Sequence, residues 1–182
     1  MTIKNDLYFR QSCFDKIKRV VVKVGSQILT GEQGINVAFI ASLARELSFL
    51  QNSGREVLLV CSGAIAMGRH KAFTYGSVGI SVRQAIAAIG QPTLMRLYSE
   101  AFNEYHQNIA QILLVPSDFD SRDKYMNLRN TILTLFQFDT IPIVNENDAL
   151  IIEEPCYDDE NILAVKIANL IEADIFIWPA NI

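Results

Sequence analysis

The chain has 182 residues, a length that suits one domain of ordinary size or one domain and a fraction. Half of its residues are hydrophobic and 20% are charged, which is typical of a globular protein with a sizeable core. The net charge of −4 argues against a general nucleic-acid binder, because such proteins usually carry a basic face.

Short apolar runs alternate with longer amphipathic segments along the whole chain. The β-branched run RVVVKV predicts a first strand over 19–24, and apolar residues at 37, 40, 44 and 47 predict a helix over 37–51. Pro92 suits the first turn of a helix, so we predict two separate helices, one before and one after Gly90. The elements predicted after residue 51 are strand 57–61, helices 81–89 and 91–106, strand 109–115, helix 124–138, strand 141–144, helix 158–172 with Asp158 as its N-cap, and strand 175–178.

This alternation predicts an α/β fold, a three-layer αβα sandwich with a mainly parallel sheet. The strands are continuous apolar runs, as expected when helices cover both faces of a sheet. Ligands of such sheets bind beyond the carboxyl ends of the strands. Three predicted strands end in polar segments, namely Gly25-Ser26, Ser62-Gly63-Ala64 and Asn145-Glu146-Asn147-Asp148. We therefore expect a site for a small anionic metabolite at these strand ends.

Lys23 stands in a strand otherwise made of valines, where a buried charge is costly without an anionic partner. It is either a point charge for a transferring phosphoryl group or a lysine at a sheet edge whose ammonium reaches solvent. The pattern alone leaves both interpretations open.

Glycine follows two of the predicted strands, in Gly25-Ser26 and in Ser62-Gly63. Backbone N–H groups at such positions, near helix N-termini, favour negative charge, and Ser62 adds a hydroxyl donor. A turn followed by a helix cap is the structural alternative for each pair. Neither pair belongs to a GxxxxGK[ST] or GxGxxG motif, both of which the sequence lacks.

The polar segment from Asn145 to Asp148 offers donors and acceptors for the ammonium and carboxylate groups of an amino acid. The acidic stretch from Glu153 to Asn161 precedes a predicted helix. It either complements the dipole of that helix or contacts a substrate ammonium or magnesium.

Cysteine usage and the N-terminus indicate the compartment. The three cysteines are widely spaced and form no disulfide framework or zinc site, so no resident metal is predicted and Cys61 is expected to be a buried, reduced thiol. The N-terminal segment is polar, and no apolar run approaches the roughly 18–20 residues of a membrane span. We therefore expect a cytoplasmic protein that binds neither membrane nor nucleic acid.

Structural roles are predicted for the remaining conspicuous side chains. His70 and His106 show no partner arrangement for a catalytic dyad and are expected at the surface or with satisfied hydrogen bonds. Packing roles are predicted for the aromatic residues Tyr98, Phe102, Tyr105 and Trp178, with Trp178 in the core.

Six blocks of this sequence resemble bacterial glutamate 5-kinase, a family of the amino-acid kinase superfamily. The blocks are VVVKVGSQILT, VLLVCSGAIAMGR, AAIGQPTLM, QILLV, NLRNTI and IPIVNENDA, and the resemblance extends from about residue 19 to about residue 176. It implies phosphorylation of the γ-carboxylate of glutamate by ATP with Mg²⁺, the first step of proline synthesis. It also implies a homo-oligomer, with proline as a candidate feedback inhibitor.

The resemblance implies roles for individual residues. Lys23 matches the catalytic lysine that neutralises the transferring phosphoryl group. The other phosphate- or ATP-binding positions are Gly25, Ser26 and Gly63. The glutamate-binding positions are Ser62, Asn145, Asp148, Asp159, Glu160 and Asn161. A protein nucleophile is not needed, because catalysis between two anions consists mainly of positioning and charge neutralisation.

The chain departs from the family pattern in two places. Asp159 stands where the family has a substrate-contacting Asn, and Glu160 where it has an Asp, which is expected to weaken glutamate binding. After the last strand the family continues with a Thr-Asp loop and roughly 70 or more residues of nucleotide-binding structure, a domain-scale segment. We therefore expect a truncated domain, with 1–18 as an N-terminal extension and 19–182 as the glutamate-binding, N-terminal part of an amino-acid kinase domain.

Three hypotheses about function follow. The first is a glutamate 5-kinase-type phosphotransferase. The second is a non-catalytic glutamate-binding, regulatory or oligomerisation module, which the missing nucleotide-binding half favours. The third is a sister kinase acting on acetylglutamate, aspartate or a nucleotide, which fits the NEND block less well.

Overall fold

The structure is a computed structural model that describes residues 12, 14–31, 34–72, 76, 78–150 and 159–179. Strands and helices alternate through most of this range. In chain order the elements are β1 (Arg19–Val24), α1 (Ser26–Leu29), β2 (Thr30–Gly31), β3 (Gly34–Ile35), α2 (Val37–Asn52), β4 (Glu56–Cys61), α3 (Ala64–Ala72), α4 (Ile80–Asn103), β5 (Asn108–Leu114), a 3₁₀ turn (Pro116–Phe119), α5 (Arg122–Gln137), β6 (Thr140–Glu146), α6 (Asp159–Leu170) and β7 (Ile175–Ile177).

Five of the strands form one parallel sheet in the order β5-β6-β4-β1-β7, which confirms the predicted α/β architecture. β2 and β3 form a separate antiparallel pair. In the large sheet Val24 lies opposite Cys61, and Val60 lies opposite Val144. The carboxyl ends of β1, β4 and β6 are therefore adjacent at one edge of the sheet, as the sequence predicts for the site.

Helices cover both faces of the sheet, which confirms the three-layer sandwich. Alternate residues of β1, β4 and β6 pack with α2 and α4 in one core, where Tyr98 and Phe102 are fully buried as predicted. The other residues of these strands pack with α5 and α6 in a second core. Tyr105 is exposed at the end of this packing, so the predicted packing role is wrong for that residue.

α4 is one continuous helix from Ile80 to Asn103, so the prediction of two helices is wrong. Pro92 lies inside this helix and its side chain is exposed. Proline removes one backbone hydrogen bond, but the buried face of the helix continues on both sides of it, from Ile86 to Phe102. Packing of that face outweighs the local preference for a break.

The prediction for the last strand and Trp178 also needs correction. β7 ends at Ile177, and Trp178 after it is 52% exposed rather than part of the core. The sequence also gave no prediction for α3, because its buried face consists only of Ala64, Met67 and Gly68 and presents little apolar periodicity. Cys61 is buried and outside any disulfide, as predicted.

Several predictions fall outside the described residues, namely those for Cys13, Cys156, Asp158 and the acidic stretch before it. His70 and His106 are both exposed, as expected. No helix in the described ranges has the length and apolar character that crossing a bilayer requires.

Hydrogen bonds at the amino edge of the sheet fix β7 and α6 against β1. The carboxylate of Asp174 accepts the backbone N–H groups of Lys18 at 2.8 Å and Arg19 at 2.7 Å, and these bonds lower its pKa. The guanidinium of Arg19 donates to the carbonyl of Ile171 at 2.9 Å. The carboxyl end of α6 is thus held at the amino edge, and a 12-residue helix rises about 18 Å, close to the length of a six-residue strand. The first turn of α6 therefore lies towards the carboxyl edge.

Candidate functional site

The candidate site is the carboxyl edge of β1, β4 and β6, where three polar segments lie side by side. The backbone N–H of Ser62 donates to the carbonyl of Val24 at 3.3 Å and continues the ladder between β1 and β4 beyond the last paired residues. Asn145 follows Val144 on the neighbouring strand β6. The three segments that the sequence singles out are therefore neighbours in space.

Lys23 is only 5% exposed although it carries a charge. It lies on β1, an interior strand of the sheet, and is buried, so the interpretation as a sheet-edge lysine that reaches solvent is wrong. Its ammonium approaches Gly25 so closely that a Cβ added there would lie 3.3 Å from Nζ. The same ammonium lies 5.0 Å from the ring centroid of Trp178, a cation–π contact.

Two glycines connect strands of the sheet to the helices that begin at the site. Gly25 is extended and precedes α1, and its carbonyl accepts the N–H of Ile28 at 3.2 Å. Gly63 has a φ of 114°, which side-chain-bearing residues rarely adopt, and it precedes the first residue of α3. The amino ends of α1 and α3 thus begin at the carboxyl edge, where their first N–H groups favour an anion.

The two serines of these segments have different settings. Ser26 is partly buried and opens α1, and its carbonyl accepts the hydroxyl of Thr30 at 2.8 Å. Ser62 is buried, and its hydroxyl lies 3.5 Å from the carbonyl oxygen of Val24, at the long limit of a hydrogen bond. A shorter bond to a ligand would be more favourable for this hydroxyl.

The side chain of Asn145 is held rigidly between backbone and another side chain. It is 2% exposed, its Oδ1 accepts the backbone N–H of Glu146 at 2.9 Å, and its Nδ2 donates to Oε1 of Gln91 at 2.9 Å. No role is predicted for Gln91 from the sequence pattern, although this residue stands in the block AAIGQPTLM. A polar residue directly after a glycine on the buried face of a helix is the signal that could have identified it.

The acidic side chains near the site differ in burial. Glu146 ends β6 and is buried, whereas Asp148 lies in the following turn and is partly exposed. Asp159 and Glu160 are the first two residues of α6, and their side chains lie outside the part of the chain that the structure describes. The structure thus leaves the effect of the two departures from the family pattern as a prediction.

Asn161 lies in the first turn of α6, on the side of the sheet that Lys23 faces. Strand alternation puts Lys23 on the same face as Val21, whose core α5 and α6 cover. The Oδ1 atom of Asn161 is buried and has no hydrogen-bond partner within the described part of the chain. An acceptor in that state favours a donor from a ligand, such as an ammonium group.

Tyr98 and Cys61 are buried in the core that includes residues of β1, β4 and β6. Burial raises the pKa of the Tyr98 phenol well above its ordinary value, and the neighbouring Cys61 raises it further, so the core below the site stays neutral. The described residues contain no cluster of three or more His, Cys, Asp or Glu side chains that would hold a metal ion. Lys23 is a buried cation at this edge, next to Gly25.

The carboxyl edge of this parallel sheet combines a buried lysine, the amino ends of two helices and a fixed amide, an arrangement that favours a small anionic ligand. The sequence profile of the amino acid kinase family matches residues 18–178 of this chain. The chain belongs to that family.

Relatives in bacteria are named glutamate 5-kinase. The chain is 53% identical to the protein of Desulfotalea psychrophila over 178 residues, which are 97% of this chain and 47% of the relative. It is 43% identical to the protein of Geobacter metallireducens over 175 residues, with 95% and 47% covered. It is 42% identical to the protein of Thermus thermophilus over 159 residues, with 87% and 43% covered. The chain therefore spans about half the length of these relatives.

Proposed function

We propose that this chain is the acceptor-binding part of a glutamate 5-kinase, an enzyme that transfers the γ-phosphoryl group of ATP to the γ-carboxylate of glutamate. The observation that carries the proposal is the buried ammonium of Lys23 beside Gly25, at the same sheet edge as the amide of Asn145. The names of the relatives support the choice of glutamate and ATP as substrates.

In this proposal Lys23 compensates the negative charge that builds up when the phosphates of ATP approach the carboxylate of glutamate. Its ammonium would face oxygens of the transferring phosphoryl group, where an electrostatic interaction is strong because the site is shielded from water. The N–H groups that follow Gly25 and Gly63, with Ser26, would bind phosphate oxygens. Positioning and charge neutralisation then supply the catalysis, and no side chain acts as a nucleophile.

The acceptor glutamate would bind to the other polar groups of the edge. Donors from Ser62 and Asn145 suit its carboxylates, and the acceptors of Asp148 and Asn161 suit its ammonium. Asp159 and Glu160 lie in the same turn of α6 as Asn161. Their negative charges are expected to weaken the binding of a dianionic substrate relative to the family pattern.

ATP and Mg²⁺ are part of the proposal as the donor substrate and its accompanying ion. Magnesium commonly takes many of its ligands from phosphate oxygens and water. Since the described residues form no metal cluster, no step is assigned to the ion. Homo-oligomers and feedback inhibition by proline are implied by the family resemblance, and together with a cytoplasmic location they belong to the same proposal.

The proposal is tested by glutamate-dependent release of ADP from ATP by the purified chain. As an enzyme, the chain should show turnover that falls by about 100-fold or more in Lys23→Ala. Lys71→Ala removes an exposed lysine of α3 and is the control that should keep wild-type turnover.

A second candidate function is favoured by the length of the chain, which is about half that of the relatives. It is a glutamate-binding module without phosphoryl transfer. Glutamate binding in calorimetry without ADP release would select this module over the enzyme. Neither binding nor turnover would contradict both functions.

A further inference from the structure

The orientation of the Gln91 side-chain amide follows from a series of hydrogen bonds that starts at the backbone. The N–H of Glu146 is a donor, so the atom of Asn145 that meets it is the oxygen Oδ1, at 2.9 Å. The other end of the Asn145 amide is then the donor Nδ2, and the atom of Gln91 that meets it at 2.9 Å is the acceptor Oε1. The donor Nε2 of Gln91 consequently points away from Asn145.

This Nε2 group is buried and has no hydrogen-bond partner in the part of the chain that the structure describes. Leaving a buried donor without a partner is unfavourable, and most such groups in proteins find an acceptor. Its oxygen is occupied by Asn145, so the side chain cannot turn round without losing that bond. The Nε2 donor of Gln91 is therefore held in one orientation, without an acceptor among the described residues.

Gln91 lies next to the candidate site, where its side chain contacts Asn145. Gly90, the preceding residue, packs so closely on α3 that a Cβ there would lie well inside van der Waals contact of the Ala64 carbonyl oxygen. Ala64 directly follows Ser62 and Gly63. Gln91 therefore extends from the first turn of α3 to Asn145 at the end of β6, between two of the polar segments.

We propose that Nε2 of Gln91 donates a hydrogen bond to a carboxylate oxygen of the acceptor amino acid and so acts as a further substrate-binding residue. This inference rests on the proposed function, because it needs a carboxylate substrate at this edge. A hydrogen bond to a carboxylate is stronger than one between neutral groups, and loss of one such bond corresponds to about tenfold to hundredfold in affinity.

The test uses Gln91→Glu in the full chain, with L-glutamate as the probe in calorimetry. The new carboxylate keeps an acceptor for Nδ2 of Asn145 but replaces the donor Nε2 by an oxygen. We expect glutamate affinity to fall at least about tenfold while the variant keeps a cooperative thermal unfolding transition. Gln137→Glu introduces the same charge at an exposed position of α5 and should bind glutamate like the wild type.

A direct readout separates donation from simple repulsion by the new charge. The side-chain NH₂ resonances of Gln91 are identified by their absence from the spectrum of Gln91→Glu. In the wild-type chain they should shift and exchange more slowly with solvent when glutamate is added, whereas a role confined to positioning Asn145 leaves them unchanged.

The outcomes distinguish this inference from the proposed function. A wild-type chain that binds glutamate, with unchanged Gln91 resonances or with Gln91→Glu binding within about twofold, overturns the inference alone. A wild-type chain that does not bind glutamate overturns the inference together with the proposed function.

Discussion

Lys23 has the most demanding environment of any residue at the site. It is a buried cation in an interior strand, and the ring of Trp178 covers it from one side. A cation–π contact contributes about 0.5–2 kcal/mol, much less than the cost of removing an isolated ammonium from water. The contact can therefore yield to an anion, which interacts more strongly with the same ammonium.

This contact makes Trp178 a reporter of anions at Lys23, because it is the only tryptophan of the chain. We expect pyrophosphate, used as a stand-in for the phosphates of ATP, to change the intensity or wavelength of tryptophan emission in a saturable titration. Lys23→Ala should abolish the response, and Lys71→Ala should keep it. An equal response in Lys23→Ala would show that the anion binds elsewhere.

The residues of the candidate site differ in whether the sequence pattern alone indicates them. Lys23, Gly25, Ser62 and Gly63 follow from local pattern, because they stand at the ends of apolar strands. The contacts of Gln91 and Trp178 join parts of the chain that are far apart in sequence. Such contacts depend on which strands become neighbours, and local propensity carries no information about that.

At the level of elements, the pairing of α3 with α4 determines where the Ser62–Gly63 segment lies. Both helices use glycine at the contact, since Gly68 of α3 meets the Ile86 carbonyl and Gly90 of α4 meets the Ala64 carbonyl. Backbone therefore packs directly on backbone. The long strands and helices were predictable from their apolar periodicity, but this close pair was not, because glycine and alanine give a weak hydrophobic signal.

Gly90→Ala is expected to destabilise the protein and to disturb the site. The added methyl group would collide with backbone atoms of Ala64 and Gly68, which cannot move aside as a flexible side chain does. Overpacking of this kind costs about 1–3 kcal/mol, and the better helix propensity of alanine returns at most about 1 kcal/mol. The free energy of unfolding, measured with urea, should therefore fall, and glutamate affinity should fall with it because α3 starts at the site.

Gly79→Ala is the matched control for this substitution. A Cβ at Gly79 meets nothing within 4 Å, and the residue caps the amino end of the same helix. The expected change in stability is below about 1 kcal/mol, and glutamate binding should be kept. Equal losses in both variants would contradict a tight α3–α4 contact as the cause.

At the level of the whole molecule, the two outer strands of the sheet, β5 and β7, differ in length. β7 has three residues and a single neighbour, β1, among the described strands. Its Phe176 is 37% exposed, and α6, which leads into β7, also exposes Ile162 and Val165. An apolar strand with one unpaired side is a template for association with another chain.

We therefore expect the purified chain to self-associate through β7, with a mass in light scattering that rises with concentration. Phe176→Lys should reduce this rise, because a lysine on an edge strand makes pairing with a second strand unfavourable. Phe49→Lys is the control, since Phe49 on α2 is 68% exposed but lies away from the sheet edge. Both variants should keep the wild-type unfolding midpoint. An equal effect of the two substitutions would indicate general surface hydrophobicity as the cause, whereas an effect of Phe176→Lys alone assigns the association to the open side of β7.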